Sequence, residues 1–184
     1  MVTTARRITL AEIERDGPPE GQWEIINGEL IEMPPAGGRH SRIGMEIGGA
    51  LLPFVKPRRL GLVYNADAGF ILAEDPLLLR APDVSFVRTE RLPPDHDDGG
   101  YLHVAPDLAV EIISKFDRPV AVLAKAVSWL EAGVSLVWVV APASQTVTVI
   151  STERDPRTLT VDETLDGGAI VPGFTLPLRD IFAT

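Results

Sequence analysis

The chain has 184 residues, 45% of them hydrophobic and 23% charged, a size and balance suited to one soluble globular domain spanning residues 1–184. It contains no cysteine, which excludes disulfides and thiolate metal sites and suits a reducing cytoplasm, where the protein is expected. A net charge of −9 weighs against nonspecific DNA affinity, which comes from basic groups neutralising phosphates, and no apolar run reaches membrane-spanning length.

In chain order, Thr9 opens a short amphipathic helix over residues 9–15, and the Gly-Pro-Pro-Glu-Gly run at 17–21 ends it. Residues 23–26 and 29–33 flank Asn27-Gly28, the strongest short hairpin signal available. A helix over about 40–55 follows, with Ile43, Ile47, Leu51 and Val55 on its apolar face. Gly44, Gly48 and Gly49 within it imply close packing against another backbone, at a propensity cost. Strands are expected over 61–72, 81–87, 108–113, 136–140 and 146–150, and residues 157–182 read as short strands with a terminal turn.

The polar loop at 91–100 carries His96 among Asp95, Asp97 and Asp98, with His103 beyond. Such a cluster can bind a transition metal, but loops of this composition are more often solvated connections. Trp23, Trp129 and Trp138 all lie in apolar periodic segments and read as core rather than as a base-stacking platform.

The chemistry concentrates in an ordered acid, acid, base series: Asp83, Glu111 and Lys125. Period-two alternation puts Asp83, Ser85 and Val87 on one strand face, and Asp107, Ala109 and Glu111 on one face of the next strand. A carboxylate such as Glu111 inside so apolar a run is costly to bury unless a cation or hydrogen bonds receive it. The alternative is a strand-end acid capping the following helix.

That helix starts near Ser114 or Asp117 as cap, with Pro119 in its first turn, and stops at Gly133. Val120, Leu123, Ala124, Val127 and Leu130 keep helical spacing, so this face is expected to pack on a sheet. Lys125 lies beside it, either reaching the strand acids or snorkelling at the surface.

Six segments in register now carry a resemblance: Trp23-Glu-Ile-Ile-Asn-Gly-Glu-Leu30, His40-Ser-Arg-Ile43, Pro82-Asp-Val-Ser-Phe-Val87, Pro106-Asp-Leu-Ala-Val-Glu-Ile-Ile-Ser114, Ala132-Gly-Val-Ser-Leu-Val-Trp-Val-Val-Ala-Pro142 and Pro172-Gly-Phe-Thr-Leu-Pro177. Together they resemble the Uma-two family of bacterial restriction-endonuclease-like proteins, a branch of the PD-(D/E)xK nuclease-like superfamily, over nearly the whole chain.

The resemblance implies an α/β fold: a restriction-endonuclease-like core with a mixed, bent central sheet flanked by helices, an N-terminal hairpin and a β-rich C-terminal segment. It implies a Mg²⁺-dependent DNA endonuclease, with Mn²⁺ as substitute metal. Asp83 and Glu111 match the motif acids and would hold the metal. The superfamily's E-x-K lysine falls at Ile113 here, so Lys125 on the following helix takes its place. Glu24, His40 and Ser114 match family positions and are supporting candidates. The chain departs from the pattern at Ser114-Lys-Phe-Asp117, where relatives read Ser-Pro-Ser-Asp, and at Val140-Ala-Pro142, where they read Val-Asp-Pro.

Basic residues group as Lys56, Arg58, Arg59 and as Arg88, Arg91, offering a phosphate-contacting rim against the simpler reading of a solvated surface. A homodimer is expected, because superfamily nucleases often pair and an acidic monomer has little basic surface to hold a duplex. The alternatives are a nuclease-like module that no longer cuts and serves binding or assembly, or a structural oligomer using the apolar segment 170–178 as a partner surface.

Overall fold

The computed structural model describes residues 7–17, 20–93, 99–115 and 117–183, and its amino end follows the local signals closely. The Thr9 hydroxyl accepts the Glu12 N–H and the Glu12 carboxylate accepts the Thr9 N–H, a capping box that opens α1 (Leu10–Asp16). β1 (Gln22–Ile26) and β2 (Glu29–Met33) form the hairpin, with Asn27 at φ 54° and Gly28 at φ 80°, as its two-residue turn requires. The hairpin is not an appendage. β1 also pairs with β5 (Leu77–Arg80), and β5 with β4 (Phe70–Glu74), giving a four-stranded sheet in the order β2-β1-β5-β4.

The central sheet has six strands in the order β10-β9-β8-β7-β6-β3. These are β3 (Gly61–Asn65), β6 (Val84–Arg88), β7 (Leu108–Ile112), β8 (Leu136–Ala141), β9 (Thr146–Ser151) and β10 (Arg157–Leu159). β7 and β8 run parallel, joined by the crossover helix α3 (Pro119–Glu131), and the other neighbours are antiparallel, so the sheet is mixed. α2 (Gly38–Arg58) covers one face, burying Ile43, Ile47, Leu51 and Val55 against Val84, Phe86, Leu108 and Val110. On the other face Ala126 and Trp129 of α3 pack with Ala109, Val137 and Val139. Phe70 of the smaller sheet packs with Val87 there and joins the two sheets through an apolar cluster. The chain closes with β11 (Thr164–Asp166), β12 (Thr175–Pro177) and α4 (Leu178–Phe182).

Several expectations change. Residues 61–72 divide into β3 and β4, which join different sheets, and the Asn65–Asp67 side-chain hydrogen bond of 2.9 Å marks the turn between them. β5 is a run of three leucines ended by Arg80, without alternation, which hid it. The glycines of α2 do not enforce a close backbone approach: a Cβ on Gly44 or Gly48 would meet Ile112 and Val84 side chains at ordinary distances, and Gly49 faces open space. The helix α3 has Arg118 as N-cap and no side-chain cap, because the Asp117 carboxylate accepts the Ser114 N–H instead (2.7 Å).

Two larger reversals concern surfaces. Val120, Leu123 and Val127 of α3, expected to pack on a sheet, are exposed, and the packed face is formed by Val122, Lys125, Ala126 and Trp129. Conversely, Val171, Phe174, Leu176 and Leu178 are buried, with Phe174 stacked on Trp138 at 6.1 Å, so segment 170–178 is core and not a partner surface.

Candidate active site

Antiparallel pairing of β6 with β7 sets the start of one strand beside the end of the other. The Asp83 N–H donates to the Val110 carbonyl (3.0 Å), and Asp83 Oδ2 accepts the Ile112 N–H (2.6 Å). Asp83 is thereby fixed next to Glu111, which the parity of β7 turns away from the α2 core and toward α3. The first turn of α2 ends over the same corner, where His40 Nε2 lies 3.3 Å from Asp83 Oδ2.

Helical spacing then places two groups of α3 on Glu111. Lys125 and Trp129, one turn apart, share the inward face; Lys125 Nζ lies 2.8 Å from Glu111 Oε2 and Trp129 Nε1 donates to Glu111 Oε1 at 2.7 Å. The smaller sheet adds Glu24 from β1, whose Oε1 is 3.1 Å from Lys125 Nζ. That last contact is an ion pair in distance only, since Glu24 Oε1 lacks a well-directed hydrogen bond. Asp83, Glu111, Lys125, Glu24 and His40 are thus brought together. Ser114 lies in the loop just beyond β7, where its backbone amide serves Asp117.

The electrostatics are those of too many acids for the cations present. Burial, with repulsion from Asp83 and Glu24, pushes the Glu111 carboxyl up to about 7 against the pull of Lys125. Burial alone would lower the Lys125 ammonium, but Glu111 and Glu24 outweigh it and hold the group above the ordinary lysine range. Both groups therefore cling to their protons. Lys125 keeps its own because Glu111, Glu24 and Asp83 all act on it, and Glu111 is the member that gives way. The hydrogen bond that His40 donates to the Asp83 carboxylate raises His40 above its usual value despite partial burial, with Asp117 adding to the effect.

Among the described residues, no group of three or more His, Asp or Glu side chains is arranged to hold a metal ion. A hard cation such as Mg²⁺ needs less: one or two carboxylates, with waters filling the remaining positions. Asp83 and Glu111 meet that requirement, and the three acids facing Lys125 leave negative charge for a cation to balance. The donor set fits. The cluster of Asp95, His96, Asp97 and Asp98 lies outside the described residues, while exposed His103 sits 3.8 Å from Glu74.

Two residues were missed by sequence reading. Trp129 is fully buried, as a core tryptophan should be, and nothing in its apolar surroundings signals the bond to Glu111. Arg80 is 7% exposed, and its Nε and Nη1 have no hydrogen-bond partner. The pairing Ile25↔Leu79 puts Arg80 opposite Glu24 on the same sheet face, so a buried cation lies beside Glu24.

The basic groups do not rim this site. Arg88 ends β6 and pairs with Gly61, and Thr89 bonds the Arg59 and Leu60 carbonyls, so Lys56, Arg58, Arg59, Arg88 and Arg91 collect at the other end of the sheet. Asp83 and Arg88 are five residue steps apart along the strand, about 16 Å.

A family described as "Putative restriction endonuclease", Uma2, matches residues 10–179. A crystal structure from Anabaena variabilis ATCC 29413, described as "a putative nuclease belonging to DUF820", superposes with a TM-score of 0.80 at 24% identity, covering 95% of this chain and 97% of that one. It shows that the fold is shared. Comparison with curated proteins finds no match. Among the described residues no helix is long and apolar enough to cross a membrane.

Proposed function

The chain belongs to the Uma2 family, and from that premise we propose that it is a Mg²⁺-dependent endonuclease that hydrolyses DNA phosphodiester bonds. The observation that carries this reading is the convergence of Asp83, Glu111 and Glu24 on Lys125, from two sheets and a helix. Asp83 and Glu111 are the residues to hold the metal, which when bound lowers the pKa of a coordinated water and offsets phosphate charge.

The protein's own groups divide the remaining work. Lys125 stays protonated, so it acts as a donor and not as a base: it orients the attacking water or steadies charge on the phosphate. Glu24 holds the ammonium in place, Trp129 fixes the Glu111 carboxylate, and His40 with the Ile112 amide fixes that of Asp83. The net charge of −9 and the remote basic residues favour the second reading, a nuclease-like binding module that does not cut.

Plasmid nicking with Mg²⁺ or Mn²⁺, run beside Mn²⁺ calorimetry, separates the two. The parent should nick. Asp83→Asn should fold and bind Mn²⁺ at least about tenfold more weakly, since it loses a ligand charge and keeps its shape. Lys125→Ala should lose cutting while its metal affinity holds or rises, the acids having lost a competing cation. Unchanged Mn²⁺ binding in Asp83→Asn would mean the site is misassigned, and a parent that cuts no DNA leaves the noncutting module as the reading.

A further inference from the structure

The helix α3 is apolar on both sides, and a helix apolar all round is ordinarily a buried helix. Its inner side is accounted for by Ala126, Trp129 and the Lys125 contacts. Its outer side is not: Val120 is 80% exposed, Leu123 60% and Val127 43%, with the small exposed residues Ala121 and Ala124 between them. Before its last residue, Glu131, the only charge in the helix is Lys125, which points inward. A neutral strip of about two turns, roughly 10 Å long, therefore faces outward. It is bounded by exposed Arg118 at one end and exposed Glu131 at the other, neither in an ion pair among the described residues.

We propose that this strip is a homodimer interface, in which α3 packs antiparallel on α3 of a second copy about a twofold axis near Ala124. The direction follows from charge. Antiparallel packing sets Glu131 against the partner's Arg118 and against the amino end of the partner's α3, which has no side-chain cap; parallel packing would set like charges together. Asp117, at the same end, is already turned to the Ser114 amide. Val120 then meets the partner's Val127, and Ala121 and Ala124 let the two helices approach closely. The occupant is a second copy because the strip and its two charges complement themselves.

One helix pair buries less than the roughly 1,200–2,000 Å² of standard stable interfaces, so the dimer should be reversible, with dissociation on the order of 10 µM. The proposal goes beyond the nuclease reading and is independent of it, since every readout below is association.

The chain has no cysteine, so Ala124→Cys introduces a sole thiol. Under mild oxidation it should give a disulfide-linked dimer, whereas Glu153→Cys, on an exposed turn after β9, should not. In sedimentation the parent should show a concentration-dependent dimer. Leu123→Glu should be monomeric, and at about 1 µM, where the parent is mostly monomeric too, it should melt at the parent's temperature because the position is exposed in the monomer. Arg118→Glu should weaken association at least tenfold, and the exchange of Arg118→Glu with Glu131→Arg should restore it. A parent that stays monomeric at about 200 µM, well above that expected dissociation constant, overturns the proposal. So does a Leu123→Glu variant that dimerises like the parent, or a charge exchange no better than the single change.

Discussion

Asp107 and Glu111 sit at opposite ends of β7, share one face of it and are both buried, at 0% and 8% exposure, yet their surroundings differ in kind. Asp107 accepts the Arg88 N–H at 2.9 Å, Arg88 Nε at 2.8 Å and Arg91 Nη1 at 3.2 Å, so two cations answer one acid. Glu111 has one lysine, which it shares with Glu24, and it also faces Asp83. Burial is common to both acids and so distinguishes nothing. The local charge balance separates a clamp, which is complete as it stands, from a site left with negative charge that an added cation can neutralise.

The contrast breaks most readily at the clamp. Asp107→Ala removes the acceptor for two half-buried arginines and should cost on the order of 3 kcal/mol in urea unfolding, while Mn²⁺ affinity stays at the parent value. A metal defect in this variant with stability intact would erase the distinction between the two ends of the strand.

The next effect has the opposite sign. Glu111 has its folded pKa raised to about 7, above its unfolded value, so the folded state binds the extra proton. Its favourable contribution is full below about pH 4.5, the ordinary glutamate range, and is lost as pH rises toward 7. Glu111→Gln carries no such charge. With EDTA present, it should match the parent near pH 4.5 and exceed its stability at pH 8, by at most about 3 kcal/mol. Should the parent be the more stable at pH 8, the Lys125 ion pair outweighs burial and Glu111 is a clamp like Asp107.

Much of this corner was legible in the sequence: strand parity singles out Asp83 and Glu111, while the family resemblance points to Lys125, Glu24 and His40, and all five meet there. What escaped did so for physical reasons. Helical periodicity gives a period but fixes the phase only when one side is polar; with both sides of α3 apolar, the stripe of Val120, Leu123 and Val127 reads as core as readily as the stripe that is packed. The apolar segment 170–178 reads equally well as surface or interior until Trp138 is seen against Phe174. Likewise Arg88 and Arg91 read as a phosphate-contacting rim, while the direction of β6 carries Arg88 to the opposite end of the sheet from Asp83.

Trp129 offers the finest test, because its expected effect is small and its two roles can be separated. Trp129→Phe keeps an aromatic ring in the core but removes the Nε1–H donor 2.7 Å from Glu111 Oε1. Lost packing and a buried acceptor left unpaired should together cost about 1–2 kcal/mol. A purely structural tryptophan would shift stability by a similar amount at every pH. A donor to the ionised carboxylate does more: its removal disfavours the charged form and raises the Glu111 pKa further. The pH-dependent step in stability, measured in EDTA, should therefore move above the parent's midpoint near 7. It should be absent altogether when Glu111→Gln is combined with Trp129→Phe. A uniform loss at all pH values, with the midpoint unmoved, would assign Trp129 to the core alone and leave Lys125 as the sole group on α3 that governs Glu111.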